Sequence, residues 1–448
     1  MPGTQPRSVL RGTGAPYFTP AQLPAVGTAI DPTAEVPTLF APLQLRSLTL
    51  VNRFAVAPMC MDSCEDGLMT DFHLVHLGAY ALRGAALTIF EATAVTANGR
   101  ITTGDAGLWH DGQIPPVKRI VDFIHSQGQK AGIQLAHAGR KASNLPGWDP
   151  LRARGVNETA EESDGGWPED VWAPSAIPFS ASYPKPKALF VEQIQGLVQS
   201  FQDAAVRAVK AGFDTIEIHA AHGYLLSEFL SPITNVSATP PFLCLGSERE
   251  IDNPQRRTDA YGGSFENRTR FLIEVINAVR AVIPIDMPLL VRISATEWME
   301  HTGQESWDIS QSLRLAQLLP DLGVDLLDVS SGGNNNEQKI ALHPYYQVDI
   351  AGRIRDALRA EGKSMLIGAV GLITTAEMAK SVVQEDGTLT GEKSETVEVD
   401  AGNGQKAKAD LVLAARQFLR EPEFVLRTAY ALGVKVKWPV QYGRAPFS

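Results

Sequence analysis

The sequence is poor in cysteine, in long apolar runs and in positive charge, and each shortage excludes a class of function. Its three cysteines, Cys60, Cys64 and Cys244, are too few for a disulfide framework or a four-cysteine iron–sulfur cluster. They form no CxxC pair and share no zinc-like spacing with histidine. No apolar run reaches the roughly 18 residues that cross a bilayer. With 50 acidic against 40 basic residues the chain carries −10, the wrong sign for an electrostatic nucleic-acid binder. A transit peptide is disfavoured as well. Residues 1–37 hold Arg7 and Arg11 and no acid before Asp31, but Pro2, Pro6, Pro16 and Pro20 break the amphipathic helix such a leader needs. A reducing compartment, the cytosol, is the expectation.

What is present is a rhythm. Residues 1–37, rich in Pro, Gly and Thr, read as an extended arm. Eight short β-rich apolar runs follow, at 53–59, 86–95, 130–137, 214–220, 289–295, 325–330, 365–370 and 410–415. Helical apolar spacing lies between most of them, for example over 191–211, 271–282, 309–319 and 350–360. The runs are continuous rather than alternating, as burial on both faces of a parallel sheet requires. Eight βα units predict an α/β chain, a single (β/α)8 TIM barrel over 38–448 behind the arm. A doubly wound sheet is the alternative, but no GxGxxG turn supports it.

Three long loops, 142–172, 233–257 and 385–408, read as insertions in the barrel. Seven acids against two bases in the first, and six against three in the last, place most of the net charge in these decorations.

Barrel enzymes carry their chemistry at the C-terminal ends of the strands. The first strand ends in Pro58-Met59-Cys60, the second in Glu91-Ala92-Thr93, the third in Gln134-Leu135-Ala136-His137. The fourth ends in His219-Ala220-Ala221-His222-Gly223-Tyr224, and the fifth carries Arg292. Glycines after the sixth and seventh strands (Gly332, Gly333, Gly371), with Arg416 after the eighth, suit a phosphate, or serve only as tight turns. His219 and His222 read as metal ligands, as structural histidines, or as donors polarising a carbonyl while Tyr224 supplies a proton. The metal reading lacks a third ligand. A buried Arg292 must face an anion or a carbonyl dipole.

Taken together these residues resemble the old yellow enzyme family of FMN-dependent ene-reductases. The likeness rests on Ala57-Pro58-Met59-Cys60, Gln134-Leu135-Ala136-His137-Ala138-Gly139-Arg140-Lys141 and His219-Ala220-Ala221-His222-Gly223-Tyr224. Tyr261-Gly262-Gly263-Ser264, Gly368-Ala369-Val370-Gly371 and Pro439-Val440-Gln441-Tyr442-Gly443-Arg444 extend it, closest to the thermophilic-like branch with its fungal relatives. The resemblance implies FMN as cofactor and NADPH or NADH as electron donor. It implies that Ala57, Pro58, Met59, Cys60 and Ala92 line the flavin ring, that Gln134 and Arg292 meet its pyrimidine edge, and that Gly371, Ala415 and Arg416 hold its phosphate. His219 and His222 would bind the carbonyl oxygen of an unsaturated substrate, hydride would pass from flavin N5 to the β-carbon, and Tyr224 would protonate the α-carbon. Arg444 would reach a neighbouring site in a homodimer or homotetramer. Neither nucleic acid, membrane nor metal is expected as a partner.

Three departures from the family pattern stand out. Asp62 replaces a tyrosine that usually faces the site, which implies a carboxylate near the substrate. Ala415 replaces a glycine, and would slightly weaken FMN binding if the phosphate needs a close approach. Twenty residues, 236–255, separate Asn235 from Arg256 where the family has none. Val-Ser can be encoded by GTAAGT and Gln by CAG, so this stretch reads either as a translated intron or as a lid extension. Within the flavin reading, two alternatives to ene-reduction are an oxidation or isomerisation step in a biosynthetic pathway and a catalytically impaired homologue.

Overall fold

The computed structural model describes residues 10–31, 35–155, 158–236, 257, 259–384 and 406–447. The eight apolar runs form the eight barrel strands β1 (Phe54–Val56), β2 (Leu87–Ala94), β3 (Lys130–Ala136), β4 (Thr215–Ala220), β5 (Leu289–Ser294), β6 (Leu326–Ser330), β7 (Leu366–Val370) and β8 (Leu411–Ala414). They pair in chain order, and β8 closes on β1 with Ala414 opposite Val56, in parallel. All eight residues of β2 are buried, which accounts for its unalternating sequence. A short antiparallel hairpin, Leu43–Leu45 with Leu48–Leu50, precedes the barrel. Its alternating leucines join a cluster with Leu87, Ile89, Leu290, Leu326 and Leu411, so that it stoppers the barrel interior.

The helices are α1 (Asp71–Ala81), α2 (Ile114–Ser126), α3 (Val191–Ala211), α4 (Leu225–Leu230), α5 (Phe265–Val282), α6 (Ile309–Leu318), α7 (Tyr346–Ala360), α8 (Ala376–Val383), α9 (Arg416–Arg420) and α10 (Phe424–Ala431). Helix α3 has the limits its periodicity predicts. It buries Ile194, Leu197, Phe201, Ala204 and Ala208 and ends at Gly212, whose φ of +91° is the left-handed stop that glycine supplies. Each large side chain on that face contributes about 1.5–3 kcal/mol by leaving water. Helix α5 begins earlier than its apolar spacing suggested. Ser264 caps it through the Asn267 N–H, and its first turn buries Arg268, a polar residue that hides the period.

The described part of the arm pairs with the end of the chain. The Gly27 and Ile30 N–H groups donate to the Lys437 and Lys435 carbonyls, both at 2.9 Å, and Gln22 bonds Gln441 and the Val440 N–H. Among the described residues, loop 142–172 is a series of turns with one short α-helix, Pro150–Ala153, and two 3₁₀ turns, Glu162–Asp164 and Pro168–Asp170. Most of 385–408 and nearly all of 233–257 lie outside the described residues. The described flanks of the latter nevertheless meet: the Arg257 N–H donates to the Val236 carbonyl at 2.5 Å. Arg257 is buried and donates to the Pro174 and Leu189 carbonyls.

Because Val236 and Arg257 adjoin, excising the residues between them, 237–256, should leave the barrel intact. The expected melting temperature lies within about 2–4 °C of the full chain, the shift that 1 kcal/mol produces. Scanning calorimetry checks this, and a much larger loss would show the stretch to be integral to the fold.

Candidate active site

The C-terminal mouth of the barrel gathers the residues expected from the strand ends. Ala57 follows β1, and its N–H donates to the Ala414 carbonyl at 2.9 Å, tying the first strand to the last. Pro58 and Met59 are half-buried and Cys60 opens onto the mouth. The cysteine is accessible at its surface but enclosed by protein. That burial, with the carboxyls of Asp105, Glu91 and Asp62, holds its thiol well above the ordinary range. It is therefore a neutral S–H rather than a thiolate.

The ladder between β2 and β3 slips between Phe90 and Ala92, and it resumes with Ala92 opposite Gln134. The irregularity leaves Glu91 unpaired in the ladder. Its Oε1 accepts from the Met61 N–H at 3.3 Å, and its Oε2 lies 3.3 Å from His73 Nε2. Among the described residues Cys64, His73 and Glu91 form the trio whose ligand-type atoms come within 4.8 Å of one another. The Thr70 N–H donates to His73 Nδ1 at 3.1 Å, so the imidazole proton is on Nε2, facing Glu91 and Cys64. That tautomer makes the trio a hydrogen-bonded brace rather than a ligand set.

Inside the mouth runs a band of buried polar groups. Gln134 Nε2 donates to Glu217 Oε1 on β4 at 2.6 Å. Arg292 on β5 lies opposite Asp328 on β6, with Nε 3.0 Å from Oδ2. Glu217 is pushed up to about 8 by burial and by Asp328, against the pull of Arg292 and Gln134. Burial raises Asp328 as well, with Arg292 opposing. The anion demanded by a buried Arg292 is thus supplied in part by Asp328, which the strand ends did not reveal.

His219, His222 and Tyr224 come together. The two imidazole centroids are 5.2 Å apart, and the Tyr224 ring is 5.0 Å from His219. His222 sits at φ +61°, a left-handed conformation that a side chain with a β-carbon seldom adopts. Its N–H donates to Ser294 Oγ at 2.8 Å, and its Nε2 pairs with Ser330 Oγ at 2.7 Å, which leaves Nδ1 for a ligand. Among the described residues, His219 Nδ1 is buried without a partner. Burial first, then Arg292, drives both imidazoles well below their usual pKa, so both are neutral. Burial raises Tyr224 well above its usual value, and its phenol keeps its proton.

Across the mouth, a cleft of 240 Å³ is lined by Gly371, Leu372, Ala415, Arg416 and Gln347. Gly371 has φ +116°, and a Cβ there would meet Gln347 Nε2 at 2.5 Å. Gln347 in turn donates to the Val370 carbonyl at 2.7 Å, which fixes the turn. Ala415 has a negative φ of −108°, outside the left-handed region.

The remaining expected site residues are Asp62 and Arg444. Asp62 Oδ1 accepts from Thr102 Oγ1 and Oδ2 from the Gly147 N–H, both at 2.9 Å, while its carbonyl accepts from Trp148 Nε1 at 3.2 Å. The carboxylate is engaged in holding loop 142–172 to the mouth. Arg444 is exposed on the C-terminal segment that packs on the arm. Sequence reasoning also passed over Lys141. Its Nζ donates to the His222 and Gly333 carbonyls, and its position directly after the third strand end was the available signal.

A closed parallel barrel with these polar groups gathered at its C-terminal mouth has the architecture of a (β/α)8 barrel enzyme. Sequence comparison makes the class specific. The NADH:flavin oxidoreductase / NADH oxidase family matches residues 38–240 and 252–391, and the chain belongs to it. It is an FMN-dependent NAD(P)H oxidoreductase of the old yellow enzyme type. An NADH:flavin oxidoreductase of Gibberella zeae is 45% identical over 433 residues, covering 95% of this chain and 92% of its own. An NADPH dehydrogenase of Bacillus velezensis is 39% identical over 409 residues, covering 91% and 98%. Among solved structures, morphinone reductase in complex with tetrahydroNAD superposes with a TM-score of 0.60 at 25% identity, over 90% of this chain and 93% of that one. Among the described residues no helix is long and apolar enough to cross a membrane.

Gly371→Ala should weaken FMN binding at least about tenfold, because the methyl group meets Gln347 and the left-handed turn penalises it. Fluorescence titration of the apoprotein with FMN measures this. Unchanged affinity would remove the Gly371 turn from the cofactor site.

Proposed function

We propose that this enzyme is an ene-reductase, taking electrons from NADPH or NADH and reducing the C=C bond of α,β-unsaturated ketones, aldehydes or imides. The observation that carries the reading is the convergence of three proton-bearing rings, with His219 5.2 Å from His222 and 5.0 Å from Tyr224 between ring centres. FMN, when bound, supplies the hydride that adds to the β-carbon.

The residues present fit that cofactor. Ala57, Pro58, Met59, Cys60 and Ala92 offer a low wall for a flat ring, with the Cys60 thiol held as a neutral donor. Gln134 and Arg292 would hold the pyrimidine edge, where a fixed cation favours negative charge. Gly371, Ala415 and Arg416 would hold the phosphate.

On the substrate side, His219 and His222, both neutral, would each donate one N–H to the carbonyl oxygen and draw electron density from the alkene. Tyr224 would give its proton to the α-carbon: the phenol O–H bond breaks, a C–H bond forms, and water restores the proton. The NADPH dehydrogenase relatives and the tetrahydroNAD complex of morphinone reductase support a nicotinamide donor. Arg444, exposed at the chain end, would enter a neighbouring subunit's mouth in a homodimer or homotetramer.

Anaerobic reduction by NADPH, followed by mixing with 2-cyclohexen-1-one, tests the reading. Alkene-dependent reoxidation is expected, and its absence after normal flavin reduction would overturn it. Tyr224→Phe is expected to slow reoxidation by roughly 10²–10⁴-fold, the usual worth of a general acid, and flavin reduction far less. Equal slowing of both would remove Tyr224 as the proton donor.

A further inference from the structure

Lys141 is half-buried, and among the described residues its ammonium has no carboxylate partner. It ends the 3₁₀ turn Gly139–Lys141 after β3 and lies among the catalytic candidates. Its Nζ donates to the His222 carbonyl at 2.9 Å and, closer still, to the Gly333 carbonyl. It also lies 4.2 Å from the centroid of Phe179 and 5.5 Å from that of Tyr224. Glu228 and Glu158 act on it from a distance, and among the described residues neither forms an ion pair with it. Arg140 beside it has partners of its own: its N–H donates to Glu228 Oε1 at 2.8 Å, and its guanidinium to the Asn334 carbonyl. His222 is one of the non-glycine residues in left-handed backbone geometry, and Lys141 donates to its carbonyl.

We propose that Lys141 is a positioning residue for the proton-delivery half of the reaction. Its tethers hold His222 in its strained conformation against the Gly333 turn, and its charge over the Tyr224 ring stabilises the phenolate left when that phenol gives up its proton. The inference rests on the ene-reductase reading of the site. A cation on the face of an aromatic ring is attracted to it, and more so once the ring's oxygen is anionic. A tether on the His222 carbonyl adds to the bond between its N–H and Ser294 Oγ in holding that left-handed geometry.

The two contributions separate with pH. Burial first, then Arg140, draws the Lys141 ammonium down to about 7, against Glu228 and Glu158. The groups facing it are Arg140 on its own turn, Glu228 on α4, His219, His222 and Tyr224 around β4, and Arg152 and Glu158 on loop 142–172. A neutral amine keeps two N–H donors, as many as there are carbonyls to satisfy. Rising pH therefore removes the charge and leaves the tether.

Stopped-flow kinetics of the FMN-loaded enzyme test the proposal. Lys141→Met removes tether and charge, and Lys141→Gln removes the charge while keeping amide donors. Lys141→Met should slow reoxidation by 2-cyclohexen-1-one at least about tenfold more than flavin reduction by NADPH, the scale of a lost charge-assisted hydrogen bond. Lys141→Gln should be slowed less, and should lose the decline of wild-type reoxidation above about pH 7. Binding of 4-nitrophenol, read by its own absorbance, gives a measure free of turnover. The bound probe should ionise at a lower pH in the wild type than in either variant.

Unchanged reoxidation in Lys141→Met, or equal slowing of both half-reactions, would overturn the proposal. So would a pH profile shared by wild type and Lys141→Gln. A wild type that lowers the nitrophenol pKa through Lys141 but never reoxidises with an alkene would instead sink the ene-reductase reading and leave the placement of Lys141 standing.

Discussion

Closure of the parallel ladder is the constraint on which everything else depends. Strand β8 pairs with β1 in register, and one residue further the Ala57 N–H donates to the Ala414 carbonyl. A parallel sheet left open would expose an edge and spread its strand ends along a line. Closed, it brings the ends of β1 to β8 onto one ring, so that residues as distant in sequence as Cys60, His219 and Arg416 share a mouth. The hairpin of Leu43–Leu45 and Leu48–Leu50 stoppers the barrel with leucines, and the opposite end is left to polar chemistry.

That polar end is costly, and its arrangement shows how the cost is met. Arg292, Asp328, Glu217 and Gln134 are all buried in the barrel, and a lone charge there would be expelled or neutralised. Neighbouring strands pair them instead: Gln134 with Glu217, Arg292 with Asp328. Glu217, lifted to about 8, keeps its proton at neutral pH, so the cluster carries less charge than its composition suggests. A cation on such a base is already oriented before any ligand arrives, which is the preorganisation a flavin site needs.

The loops show the opposite economy, with departures from the family pattern absorbed by local hydrogen bonding. Asp62 accepts from Thr102 and from Gly147, and so anchors loop 142–172 beside the Cys60 segment. Val236 and Arg257, the described residues on either side of the insertion, are joined by the Arg257 N–H to Val236 carbonyl bond, so the barrel rhythm resumes where it left off. Lys141 and Arg140 belong to the same layer of the structure. Their hydrogen bonds run from one βα loop to the next rather than along the chain, to His222 on one side and to Gly333 and Asn334 on the other.

Strand count, order and nearly every strand boundary were legible in the sequence, because a strand buried on both faces must be apolar throughout and β2 is. The limits of α3 were legible for a related reason: an amphipathic period ending in glycine is written in the residues themselves. Motif order likewise marked His219, His222, Tyr224, Gln134 and Arg292. Helix α5 was read short because buried Arg268 carries no apolar signal. Asp328, Ser294, Ser330 and Lys141 were missed for a deeper reason. Each matters through a partner on another strand or loop, and a pairing across the barrel leaves no local pattern. Asp62 shows the same limit, since its identity announced a carboxylate at the mouth but not the Gly147 N–H that receives it. The sequence alone determined which elements form, because hydrophobic period and capping are local. Only the tertiary structure decided which polar groups meet, because ring closure brings together side chains that the chain keeps tens to hundreds of residues apart.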